Sequence, residues 1–215
     1  MSMTPNPYAM LFLGWMLGFL SPLLTDCIRD VLSKGKIRKA IENELSELRY
    51  RMAALAFGLV LTHGKFDRAF LTWFKTTIQD YSGVHQEGAD ILSKAVELLE
   101  QSDESIAKFV NSQQTPTSYK ATALKQYSLP YLETHLSDLD RFSEESQGQL
   151  LEIRVQLGFL NDRVDDHSFF YQKTFDSSID EINATLIQEN LKSIYSLVAE
   201  NAQHVADQIA KLGLK

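Results

Sequence analysis

Cysteine, strand signals and early charge are scarce in this sequence, and each shortage excludes something. Cys27 is the single cysteine of 215 residues, so the chain can form no disulfide within itself and no cysteine-rich zinc site, and a reducing compartment suits it. Lysine and arginine number 21 against 28 aspartates and glutamates, a formal net charge of −7 that repels a phosphate backbone, so no nucleic acid is expected as a partner. Asn-Gly and Asp-Gly turns are missing, as are runs of alternating β-branched residues, which argues against a sheet. GxGxxG, P-loop and GxSxG motifs are missing too, so none of the common nucleotide-binding or acyl-transfer signatures is present. What remains is ordinary globular composition, 44% hydrophobic and 23% charged, on a chain long enough for one substantial domain.

The lack of charge is sharpest at the start. Before Asp26 there is no Asp, Glu, Lys or Arg, and from Tyr8 to Leu24 the chain reads YAMLFLGWMLGFLSPLL. As a helix this run covers about 25 Å, close to the roughly 30 Å hydrocarbon core of a bilayer. Its leucines and phenylalanines each favour insertion by roughly 0.3 to 0.6 kcal/mol, which the Gly, Ser and Pro positions offset only in part. A cleaved signal peptide fits less well, because no basic residue precedes Tyr8 and no small-x-small site follows the run. The sequence therefore predicts a single-pass membrane anchor over residues 1–29 and one helical domain over residues 30–215. Arg29, Lys34, Lys36, Arg38 and Lys39 follow the run closely, and the positive-inside rule then puts the domain in the cytoplasm and the N-terminus outside an inner or plasma membrane. Gly14 and Gly18 stand in GxxxG spacing with Ser21 on the same stripe. Such a stripe lets two helix backbones approach closely, so self-association through the anchor is expected.

Downstream the period is helical, and the fold class expected is all-α: the anchor followed by a helical bundle with heptad-like, coiled-coil character. Ile41, Leu45, Leu48, Met52, Leu55 and Leu59 alternate spacings of four and three on a helix that starts near Asp30 and is potentially continuous with the anchor. Met52 to Leu61 is apolar on every side but too short to span a bilayer, which favours a core helix over a membrane-dipping one. Asp67 is placed to cap an aromatic-rich helix ending at Ser82-Gly83, followed by helices from Gly88 to Leu99 and from Ser102-Asp103 to Val110. A loop at residues 112–118, a helix from Tyr119 to Tyr127 and a helix opened by Pro130 come next. The longest pattern follows Ser143, where Leu150, Ile153, Leu157, Leu160 and Val164 predict a helix of about thirty residues. A last helix is predicted from Ser177 or Ser178, carrying Ile179, Ile182, Leu186 and then Leu191, Ile194, Val198, Val205, Ile209 and Leu212 on its apolar stripe.

The densest polar stretch is Asn161-Asp162-Arg163-Val164-Asp165-Asp166-His167. Asp162 and Asp166 lie one helical turn apart and His167 adds a nitrogen, so a polar site at Asp162, Arg163, Asp166 and His167 is conceivable. Consecutive acids with one histidine are more often a solvated helix face, and His167 falls on the apolar stripe itself. Arg163 and His167 also resemble the Arg-x4-6-His motif of the HEPN ribonucleases, themselves helical bundles, although only three residues intervene here and no role is carried over. The aromatic groups Phe70 to Phe74 and Phe169-Phe170-Tyr171 are read as core. No catalytic residue, metal or cofactor is expected. The reading is a membrane-anchored interaction protein, a scaffold, sensor or membrane effector with a protein partner or a second copy of itself. Its alternative is a helical-bundle enzyme or nucleotide-sensing module with a site near Asp162 to His167.

Overall fold

The computed structural model describes residues 7–81, 87–113 and 123–213, with the backbone alone for residues 7–34, 87–89 and 141. Every regular element among them is helical, and there is no strand. The chain divides into two compact units, Met1–Glu42 and Asn43–Lys215.

In the first unit the backbone is helical from Pro7 onward, as the opening of α1 (Pro7–His63). Arg38 and Glu42 pair one turn apart at 2.8 Å. The anchor residues Gly14, Gly18 and Ser21, and the side chains of the whole run Tyr8 to Leu24, lie outside those described. Among the described residues no helix is long and apolar enough to cross a membrane.

The second unit is a bundle built from the rest of α1, α2 (Arg68–Ile78), α3 (Glu87–Leu99), α4 (Asp103–Gln113), α5 (Pro130–Thr134), a 3-10 turn over Leu136–Arg141, α6 (Glu144–Lys173) and α7 (Glu181–Lys211). Of the expected stripe on α1, Leu45, Leu48, Met52 and Leu59 are buried and Leu55 is half-buried. The all-apolar stretch after Met52 is core: Ala53, Ala56 and Val60 are buried as well, and the Phe57 ring meets Phe66 edge-on at 5.3 Å and Phe74 at 4.6 Å. Gly64 follows α1 directly, where a Cβ would stand 2.9 Å from the Val60 backbone, so the position suits glycine. Asp67 then caps α2 by accepting the Phe70 N–H at 2.9 Å, and that bond holds its carboxyl below the usual range. Ser143 caps α6, whose buried residues run Leu150, Ile153, Leu157, Leu160, Val164 and His167.

Three expectations are corrected. Residues 123–129 are not helical but form an irregular strap, while 119–122 lie outside the described residues. The last helix starts at Glu181, capped by Asp180, and not at Ser177 or Ser178; its stripe is buried only from Leu191 onward, with Ile182 and Leu186 exposed. Phe169 is exposed and Phe170 and Tyr171 are only half-buried, so this aromatic group is not core.

Long-range polar contacts fix the angles between helices that apolar contact alone leaves loose. Arg68 on α2 donates to Asp103 at 2.7 Å and to the carbonyls of Leu99 and Gln101 at 2.6 and 2.5 Å, so one guanidinium closes the end of α3 and the start of α4. Trp73 of α2 donates its indole N–H to Asp207 of α7 at 2.8 Å. The Glu44 carboxylate of α1 accepts the N–H groups of Tyr131 and Leu132 at 2.8 and 2.9 Å, serving as the N-terminal cap that Leu129 cannot provide. Replacing Glu44 with Ala should therefore lower unfolding free energy by about 1–2 kcal/mol, read as a shift of the urea midpoint at unchanged m-value. An unchanged midpoint would show that α5 holds without its distant cap.

Candidate functional site

The polar stretch of α6 is dispersed by the helix that carries it. At about 100° per residue, Asn161 and Asp165 share one face, Asp162 and Asp166 another, and His167 returns to the direction of Leu160 and Val164. The coordinates follow that geometry. Asp162, Arg163 and Asp166 are exposed, with Arg163 and Asp166 paired at 3.2 Å, whereas His167 is 1% exposed. Three of the four candidate residues thus face solvent and the fourth faces the core; the fold does not bring them to one point. Among the described residues no group of three or more His, Cys, Asp and Glu is placed to hold a metal.

The Asn161 and Asp165 face holds the strap. Asn161 accepts the Tyr127 N–H at 2.9 Å and donates to the Tyr127 carbonyl at 2.7 Å, reproducing with one side chain the two-point pairing of a neighbouring strand. Gln126 donates to Asp165 at 2.7 Å. Burial under this arrangement pushes the Tyr127 hydroxyl above its ordinary range, while the Arg51 charge acts the other way. A cavity of about 300 Å³ beside the strap is lined by Tyr127, Arg154 and Asn161 among others, and by none of the four candidate residues. A second and smaller cavity, about 130 Å³, lies between Ser46 and Arg49 of α1, Thr77 of α2 and Ile209 of α7. The Arg49 Nε there is buried without a hydrogen-bond partner.

His167 belongs instead to a buried polar cluster that joins three helices. Its Nε2 shares a 3.0 Å hydrogen bond with the hydroxyl of Tyr195, which is fully buried on α7, and the His63 ring at the end of α1 stacks on Tyr195 at 4.2 Å and 6°. His167 Nδ1 is buried with no hydrogen-bond partner. The arrangement costs least with the proton on Nε2, donating to the tyrosine oxygen, because a bare buried acceptor is cheaper than an orphaned N–H. Protonating Nδ1 would place a charge and an unsatisfied donor in the core. Burial accordingly lowers the pKa of His167, and burial together with the Lys192 ammonium lowers that of His63.

Sequence reasoning put His167 on the apolar stripe but missed Tyr195 and His63 as its neighbours, since both come from remote helices. It also missed Asn161 as the strap holder. No local motif marks such a side chain, although a polar residue one position from a buried leucine is the only trace available. Comparison with protein-family models, with curated proteins and with solved structures finds no match to the chain.

The histidine cluster makes stability depend on pH in a fixed direction. Both histidines titrate lower in the folded than in the unfolded chain, so their contribution is complete above the unfolded value of about 6.5 and is lost as pH falls through the folded values. Each histidine steepens the loss toward a limit of about 1.4 kcal/mol per pH unit. Urea midpoints measured from about pH 7.5 to about pH 5.5 should fall, and fall less in His167→Phe, which keeps an aromatic ring and removes the titration. Equal slopes in the two proteins would remove His167 from the account.

Proposed function

We propose that the chain is a membrane-anchored, non-enzymatic interaction protein, with its N-terminus outside and its helical domain in the cytoplasm. The observation that carries the reading is the uncharged run Tyr8 to Leu24, which lies in α1 with no charged residue before Asp26. Its length suits a bilayer core, and the cationic residues that follow it orient the helix. Support for an interaction role comes from the domain. Its densest polar stretch is engaged in holding the strap, in a surface ion pair and in a core hydrogen bond. The alternative of an enzyme or nucleotide sensor at Asp162, Arg163, Asp166 and His167 gains nothing from residues that point in different directions.

Within this reading Gly14, Gly18 and Ser21 are the contact face of a self-associating anchor, since the small side chains let backbones approach. The domain would then act as scaffold, sensor or effector through the surfaces it presents, with protein partners in place of a cofactor.

Alkaline carbonate extraction of membranes tests the anchor. The wild-type chain should stay in the pellet, and Leu13→Arg with Leu17→Arg should move it to the supernatant, because each arginine near the helix centre costs roughly 2.5–3.5 kcal/mol on the insertion scale. Wild-type protein in the supernatant would overturn the proposal. Self-association is tested separately by crosslinking in membranes, where Gly14→Leu with Gly18→Leu should reduce the dimer band relative to wild type; an undiminished band would refute the contact face.

A further inference from the structure

The cavity where α1, the end of α2 and α7 meet has two charged residues in its lining, Arg49 and Asp80, one of each sign. They are not paired with each other. Among the described residues neither makes a hydrogen bond or an ion pair, and the Nε of the half-buried Arg49 is itself buried with no partner in the protein. A buried donor left in that state costs free energy, which a carboxylate turned toward it would remove. Two further carboxylates of α1 and α7 are held elsewhere: Glu47 by Arg51 at 2.8 Å and by the Tyr81 hydroxyl, Asp207 by the Trp73 indole at 2.8 Å.

The rest of the lining carries no charge. Tyr50 and Tyr81 stack with ring centres 4.3 Å apart and planes 12° from parallel, and Ile209 and Ala210 of α7 stand in the same wall. The Thr77 hydroxyl, also in the lining, is engaged by the Trp73 carbonyl at 2.8 Å. The cavity's volume of about 130 Å³ is close to the roughly 150 Å³ that accommodates benzene, so a ligand of about six non-hydrogen atoms fits.

We propose that this cavity binds a small α-amino acid, of the size of glycine, alanine or serine, as its zwitterion, with the carboxylate on Arg49 and the ammonium on Asp80. The inference adds a ligand site to the domain and is independent of the anchor and of self-association. Charge selects the class. A simple anion meets like charge at Asp80 and a simple cation meets it at Arg49, whereas a ligand carrying both signs satisfies both residues. The guanidinium presents a planar fork of donors that matches the two oxygens of a carboxylate. Asp80 is exposed, so its carboxylate is free to turn toward an ammonium at the cavity mouth. The tyrosine rings and the α7 wall then face the carbon atoms of the ligand, and the volume excludes long side chains. Because the lining comes from three helices, occupancy ties them together and stabilises the domain as ligand concentration rises.

Isothermal calorimetry on the full chain in a nonionic detergent tests the site, with glycine, L-alanine and L-serine each up to about 10 mM against acetate and methylamine, which carry one charge apiece. At least one of the three amino acids should bind saturably, and acetate and methylamine at least about tenfold more weakly. Asp80→Asn should weaken the amino acid at least about tenfold while leaving acetate as tight or tighter, and Arg49→Gln should abolish binding of both. Asp80 is exposed, so circular dichroism of Asp80→Asn should match wild type and keep the comparison sound even where Arg49→Gln fails to fold. The bound amino acid should also raise the urea midpoint of wild type and not that of Asp80→Asn. Absence of saturable binding by all three amino acids overturns the proposal. Acetate or methylamine binding as tightly as the amino acid overturns it too and makes the cavity a site for a single charge, and so does amino-acid binding that Asp80→Asn leaves unchanged.

Discussion

The apolar seam between α6 and α7 is the contact on which the rest of the domain depends. Leu150, Ile153, Leu157, Leu160 and Val164 on one helix and Leu191, Ile194, Val198, Val205 and Ile209 on the other are all buried. Fully burying such side chains stabilises by roughly 1.5–3 kcal/mol each, so together they outweigh any single polar contact in the molecule. The hairpin is therefore the member to which the others attach. Tyr195 takes the end of α1, Asp207 takes α2 through Trp73, and Asn161 takes the strap. Ala199, Ala202 and Ala206, all buried on α7, keep its surface low where neighbouring helices approach.

Polar residues in this bundle divide by what they cost. Glu44, Arg68 and Asn161 satisfy backbone groups at helix ends and along the strap, groups that burial would otherwise leave without partners. Their contribution is avoidance of a penalty, so it appears only when they are removed. His167 and Tyr195 differ, since they satisfy each other in the core while leaving Nδ1 unpaired. A hydrophobic pair of similar volume would pack there without that orphan. The cluster is consequently the place where the core is most sensitive to a proton.

Much of the fold was legible in the sequence because burial at helical spacing writes a period that one chain can show. The run from Leu150 to Val164 after Ser143 and the cap at Asp67 are legible from local signals. The failures share one cause. The strap was read as helix from Tyr119 to Tyr127, yet its conformation is held by Asn161 and Asp165, more than thirty positions away. Ile179, Ile182 and Leu186 stand in the apolar series of the last helix, but a series shows which residues are apolar and not whether anything stands opposite them. The candidate polar stretch was misleading in a related way. Seven consecutive residues that look like one cluster in the sequence point in at least three directions on a helix, and of their polar members only His167 reaches the interior.

The end of the hairpin is ordered without a buried side chain. Ordering a residue's backbone costs about 1–2 kcal/mol, and the residues from Ser168 to Asn190 meet that cost without burying a side chain fully. Lys173 over Phe169 and the Asp180 cap recover only fractions of it. A shorter hairpin ending beside His63 would keep every core contact and both histidine interactions with Tyr195. The extension adds nothing to the bundle that the bundle needs, while it holds aromatic and aliphatic side chains in water at a fixed spacing.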